Sequence, residues 1–166
     1  MMLRPLILAA GVVFAAAVHA ESPDLLMAIE QAAQSGQAGE VLAYGQPALV
    51  VPVQNRPCMT VGVVYQEGKR QRGGPRIDNY QVCQGAEPER INDVSPALPD
   101  DQQFKQVAQM ALRGALRYGV QRRAWNDYRL DTRRLSAADS YCCPQVGTVV
   151  STEGMLVSYN VGRLCP

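Results

Sequence analysis

The stretch DQQFKQVAQMALRGALRYGVQR, residues 101–122, constrains the fold of this chain more than any other. Phe104, Val107, Ala108, Ala111, Ala115, Tyr118 and Gly119 recur at three- and four-residue spacing, and Leu112 and Leu116 widen the stripe. Gln102, Lys105, Gln106, Gln109, Arg113 and Arg117 fall on the other side. The pattern predicts a helix from Asp101 to about Arg122, with Asp100 as cap and Gln103 reaching back. A helix with one face to bury takes the valine-rich segments on either side of it as partners. It organises a fold and carries no chemistry.

Two of those segments read as hairpins. Met59 to Gln66 and Ile77 to Val82 have strand character and flank a basic, Gly-rich loop that contains Lys69, Arg70, Arg72 and Arg76. Folding about that loop sets Cys58 opposite Cys83, and opposed positions in a ladder lie within the span of a disulfide. Gln145 to Val150 and Met155 to Val161 repeat the idea around Ser151-Thr152-Glu153-Gly154, which brings Cys142 or Cys143 near Cys165. Both hairpins begin C-x-x-V-G-x-V, as Cys58 to Val64 and as Cys143 to Val149, a match that a duplication would explain but that coincidence explains more readily. The expected pairs are Cys58 with Cys83 and Cys143 with Cys165, leaving Cys142 as a free thiol.

Ser22-Pro23-Asp24 starts a short N-terminal helix with a stripe of Leu25, Ala28, Ile29, Ala32 and Ala33 and a stop at Gly36. Its length suggests a peripheral element. Pro47 to Val53 reads as a strand whose two prolines suit an edge.

Residues 1–20 carry Arg4, an apolar run from Leu6 to Val18 and a small-residue end at Ala20, the pattern of a cleaved secretory signal peptide. Cleavage there leaves 146 of the 166 residues, enough for a single domain, 21–166, and too few apolar residues in one run to span a membrane. His19 is the only histidine and leaves with the signal, so histidine-dependent triads and most zinc hydrolase sites are excluded for the mature chain. Lys69 and Lys105, the only lysines, do not stand in serine-lysine spacing. Basic and acidic residues balance, which argues against nucleic-acid binding. No cofactor or metal is expected.

Two surfaces stand out as contact candidates. Trp125, Tyr128 and Arg129 sit in a segment of aromatic residues and arginines, the types that anchor protein interfaces, although the residues favour a core tryptophan with arginines stacked over the domain edge. Lys69, Arg70 and Arg72 concentrate charge at a hairpin tip, where solvation competes with recognition of an acidic partner or glycan.

The order helix, strand, hairpin, helix, hairpin predicts an α+β domain, an antiparallel sheet of about five strands with two disulfide-closed hairpins, packed on one long amphipathic helix beside a short N-terminal one. The functional expectation is an exported, periplasmic, non-enzymatic protein that binds another envelope protein, as an accessory part of an envelope or secretion assembly or as an inhibitor. The alternatives are a thiol-active protein using Cys142 and Cys143 and a module that binds a small ligand or glycan.

Overall fold

The computed structural model describes residues 22–53, 57–69, 75–92, 97–135 and 143–163. Helix α1 (Pro23–Ser35) is followed by a five-stranded antiparallel meander, β1 (Gly39–Ala43), β2 (Gln46–Val53), β3 (Met59–Lys69), β4 (Pro75–Val82) and β5 (Glu89–Asn92). Helix α2 (Gln102–Tyr118) is followed by a four-stranded one, β6 (Val120–Trp125), β7 (Tyr128–Arg134), β8 (Gln145–Thr152) and β9 (Met155–Arg163). The class is α+β, as expected, but each sheet has its own helix.

The N-terminal helix is no accessory. Leu25 and Ile29 are fully buried against Val50, Val61, Val63 and Tyr80 on one face of the first sheet. Pro23 stands at the start of α1, and Gly36, in left-handed conformation, donates its N–H to the Ala32 carbonyl at 2.9 Å to close it. β2 lies inside the sheet rather than at an edge. Its prolines are tolerated because β1 ends where Gly39 meets Val50, so Pro52 has a ladder neighbour on the β3 side alone, and Pro47 stands near the start of the strand.

Helix α2 buries Phe104, Ala111 and Ala115, with Val107 and Ala108 partly buried, as its stripe predicts. Three details differ from the expectation. Asp101, not Asp100, caps it, accepting from the backbone N–H groups of Gln103 at 2.6 Å and Phe104 at 3.3 Å, while Asp100 pairs with Lys105. The helix stops at Tyr118, because Gly119 turns to a φ of 85° and the chain leaves as β6, so Arg122 belongs to a strand. Tyr118 lies outside the buried stripe, exposed beneath the Arg117 guanidinium 5.3 Å away.

Cys58 and Cys83 form the expected disulfide, flanking the last β3–β4 pair, Met59 with Val82, with alpha carbons 4.5 Å apart. It is the one disulfide pair seen among the described residues. Cys143 is itself disulfide-bonded, but Cys142 and Cys165 lie outside the described residues, so its predicted pairing with Cys165 does too.

The face of each sheet turned away from its helix meets the other sheet. Strand β9 lies against β2, β3 and β4, where Leu156, with Tyr159 beside it, packs on Val51, Val53, Val64 and Ile77. Gly62 and Asn79, partners in the β3–β4 ladder, form the seat for Leu156. A Cβ on Gly62 would overlap the Leu156 side chain, so only glycine permits this approach. The buried Asn79 amide accepts from the Leu156 N–H at 2.8 Å and donates to its carbonyl at 3.2 Å. The β8–β9 register slips beside Leu156, between Val150 and Ser151.

Gly62→Ala is expected to destabilise the fold by about 1–3 kcal/mol through overpacking. Leu156→Ala in the same chain should recover part of that loss, so a double-mutant cycle on denaturant midpoints reads a coupling well away from zero.

Candidate functional site

Alternation along β6 and β7 divides their residues between two faces. Trp125, Tyr128 and Leu130 pack beneath α2 with Phe104. The rings of Trp125 and Tyr128 lie edge-on to Phe104, at centroid distances of 5.7 and 5.8 Å, and the Tyr128 hydroxyl donates to the Ala97 carbonyl at 3.1 Å. By register, Arg122, Ala124, Arg129, Asp131 and Arg133 share the opposite face, the one turned towards the first sheet. The sheets meet mainly through β9 and so diverge towards β6 and β7.

The space they leave is a groove of about 930 Å³, within the roughly 300–1,000 Å³ typical of ligand sites. Val51 and Val53 from β2, Val149 from β8 and Tyr159 from β9 give it an apolar floor, and the chain from Gly36 to Ala38 borders it. Burial pushes the ionisation of the Tyr159 phenol upward, so the floor stays neutral there. The far wall presents Arg122, Arg129 and Arg133 from the groove face of β6 and β7 with a single carboxylate, Asp131, while Arg123 and Arg134 border it from strand positions that alternate to the α2 face.

Asp131 is shared. Arg122 Nε donates to it at 3.3 Å, and Arg133 donates through Nε at 3.2 Å and a terminal nitrogen at 3.3 Å. The hydrogen bond to Asp131, and then its charge, raise the ionisation of Arg133 further. Arg134 reaches back to the Leu116 carbonyl at the end of α2. Arg123 and Arg129 are exposed and have no carboxylate partner among the described residues. Three guanidinium groups against one carboxylate leave this face positive although the whole chain is near neutral. Guanidinium groups stay protonated across the accessible pH range, so these arginines can attract an anion but are poor proton donors or acceptors.

The sequence-predicted trio is therefore divided. Trp125 and Tyr128 brace the β6–β7 turn on α2, whereas Arg129 faces the groove. Lys69 ends β3, and Arg70 and Arg72 lie outside the described residues. Arg122 and Arg133 belong to the same arginine-rich segment of the sequence, with Asp131 close by to neutralise it, but none of the three is part of the expected site. Their signal is the period-two run Arg129, Asp131, Arg133, which reads as a strand face once α2 is stopped at Gly119.

A second charged cluster lies on the α1 side of the first sheet. Asp78, almost fully buried, accepts from Arg76 at 2.7 Å and pairs with Arg90 at 3.0 Å, and the Arg76 guanidinium stacks 4.8 Å over the Tyr65 ring. Burial, and then the Asp78 carboxylate, push the Tyr65 ionisation far up. The hydroxyl is near enough to feel that charge but forms no hydrogen bond of good geometry among the described residues. The cluster ties β3, β4 and β5 together.

Among the described residues no group of three or more His, Cys, Asp or Glu is placed to hold a metal ion, and no helix is long and apolar enough to cross a membrane. No protein family, curated protein or solved structure matches this chain, so the groove is read from its own chemistry.

Trp125→Ala is expected to cost about 1–3 kcal/mol for a half-buried aromatic, while Arg129→Ala stays within about 0.5 kcal/mol, as chemical denaturation will show. Because the folded state holds Tyr65 protonated above its ordinary value of 10.0, the unfolded chain releases that proton first. Its contribution to stability is thus complete below about pH 10 and is lost as pH rises through the folded-state value. Tyr65→Phe should flatten the alkaline limb of a stability profile.

Proposed function

We propose that this protein is an exported, non-enzymatic binding module that takes an anionic part of a partner protein into the groove between its two sheets. The observation that carries this reading is the arginine wall over an apolar floor, with Arg129 left without a carboxylate partner among the described residues. Interfaces favour arginine and apolar contact in one desolvated place, and the groove joins the two. The Cys58–Cys83 bond is compatible with an oxidising compartment, and the N-terminal segment reads as an export signal. Trp125 and Tyr128 serve this surface indirectly, by fixing the hairpin that displays Arg129.

A photo-crosslinking residue placed at Leu135, exposed on the groove border, should capture one defined protein in cells, and the adduct should fractionate outside the cytoplasm. The same probe at Met110, exposed on α2, should capture none. Arg129→Glu should remove the Leu135 adduct while leaving the melting temperature close to that of the parent protein. Equal labelling from both positions, or an adduct indifferent to Arg129→Glu, would overturn the assignment.

A further inference from the structure

The groove has a backbone edge as well as a charged wall. β6 is an outermost strand of its sheet, and Val120, Arg122, Arg123 and Ala124 are all exposed. Trp125 and Tyr128 close the β6–β7 hairpin across a two-residue turn, so they form a pair that exchanges both of its ladder bonds. Counting back along an unbroken register, Arg123 and Gln121 point their backbone groups inward to β7, and Ala124, Arg122 and Val120 point theirs outward. The outward rungs belong to the residues whose side chains share the groove face with Arg129, Asp131 and Arg133. A strand joining this edge would meet N–H and C=O groups that pair with no strand among the described residues, and the arginine wall together.

Resting on the reading of the groove as a protein-binding site, we infer that the partner supplies an extended acidic segment that adds to β6 as a further antiparallel strand. Antiparallel pairing is the arrangement of every neighbouring strand in the sheet. Directly opposed residues of such a pair point to the same face. The segment's residues opposite Ala124, Arg122 and Val120 therefore face the groove, and the positive wall selects acidic side chains at those alternate positions. The same arginines repel the β6 edge of a second copy of this chain, because Arg122 and Arg123 would meet like charges there. Main-chain bonds supply affinity and the alternate carboxylates supply specificity, as in strand addition generally.

The probe is a fluorescent peptide in which glutamate alternates with valine, titrated into the oxidised protein at low and high salt and followed by polarisation. Three perturbations define the outcome. Ala124→Pro removes an outward N–H without touching the β6–β7 ladder and should weaken binding at least about tenfold with thermal stability retained. Peptide N-methylated on its glutamate amides, which face β6, should likewise fail, whereas peptide N-methylated on its valine amides should bind. Arg129→Glu should abolish binding altogether. The methylation comparison leaves the protein intact, so it decides even where Ala124→Pro does not fold. Binding that ignores Ala124→Pro and both methylation patterns but is lost in Arg129→Glu overturns strand addition and leaves the groove as an acidic-protein site. Binding of dodecyl phosphate without peptide also overturns strand addition, and it replaces the protein partner with an amphiphilic anion. Absence of binding by either probe overturns the groove reading itself.

Discussion

The seating of Leu156 between Gly62 and Asn79 is the contact on which the rest of the architecture depends. Each sheet has its own helix on one face, so each half already buries an apolar cluster without help from the other. What makes one body of the two halves is β9 lying on β2, β3 and β4. That contact needs an approach close enough to exclude a Cβ at Gly62, and it puts the buried Asn79 amide against Leu156 backbone groups. A buried amide left unpaired costs about 1–3 kcal/mol, so Asn79 stabilises the native docking and penalises any other. Apolar packing alone would allow β9 to slide; two directed hydrogen bonds from one side chain do not.

The two halves follow one plan. A helix leads into a meander, and the third strand after each helix opens with the same C-x-x-V-G-x-V run, at β3 and at β8. The run has a physical meaning in both places. Its glycines, Gly62 and Gly147, fall on the sheet face turned away from the helix, and each makes room for a leucine, Leu156 in one case and Leu135 in the other. Its cysteines stand just before the strand begins, and both are disulfide-bonded. Shared order, shared glycine placement and shared cysteine placement turn a loose sequence match into a coherent structural repeat, although the first half adds β5 and the second does not.

The periodic elements were legible in the sequence. The α2 stripe, the α1 stripe with Pro23 and Gly36, both hairpins and the Cys58–Cys83 pair follow from local patterns, because spacing and turn residues express them directly. The division into two sheets was not legible, since β6 and β7 hide in a run of arginines: Arg122, Arg123, Arg129, Arg133 and Arg134 carry little strand signal, and Arg122 continues the helical count across Gly119. With that hairpin unread, the second helix had only one sheet to pack against. The site suffered for the same reason. Trp125, Tyr128 and Arg129 are neighbours in sequence, but a strand sends alternate residues to opposite faces, and only Arg129 reaches the groove.

Why the positive charge gathers where it does follows from the joint. With the sheets pinned at β9, the β6–β7 end stands apart from β2, and water or a ligand reaches both surfaces. A closed sandwich would have required valines on both faces of β7, as on β2, and the three guanidinium groups of this face would have been prohibitively desolvated. Arg122, Arg129 and Arg133 facing inward are therefore compatible only with an open wedge, since Asp131, one carboxylate among three guanidinium groups, compensates only part of the cost of burying them. The unfilled end of the sandwich is consequently encoded in β7 itself, whose one face packs beneath α2 through Leu130 while the other stays wet and cationic. An occupant that supplies negative charge offsets the desolvation of these arginines, so electrostatics favours closure of β6 and β7 towards β2 around an anionic segment and opposes closure on an empty groove.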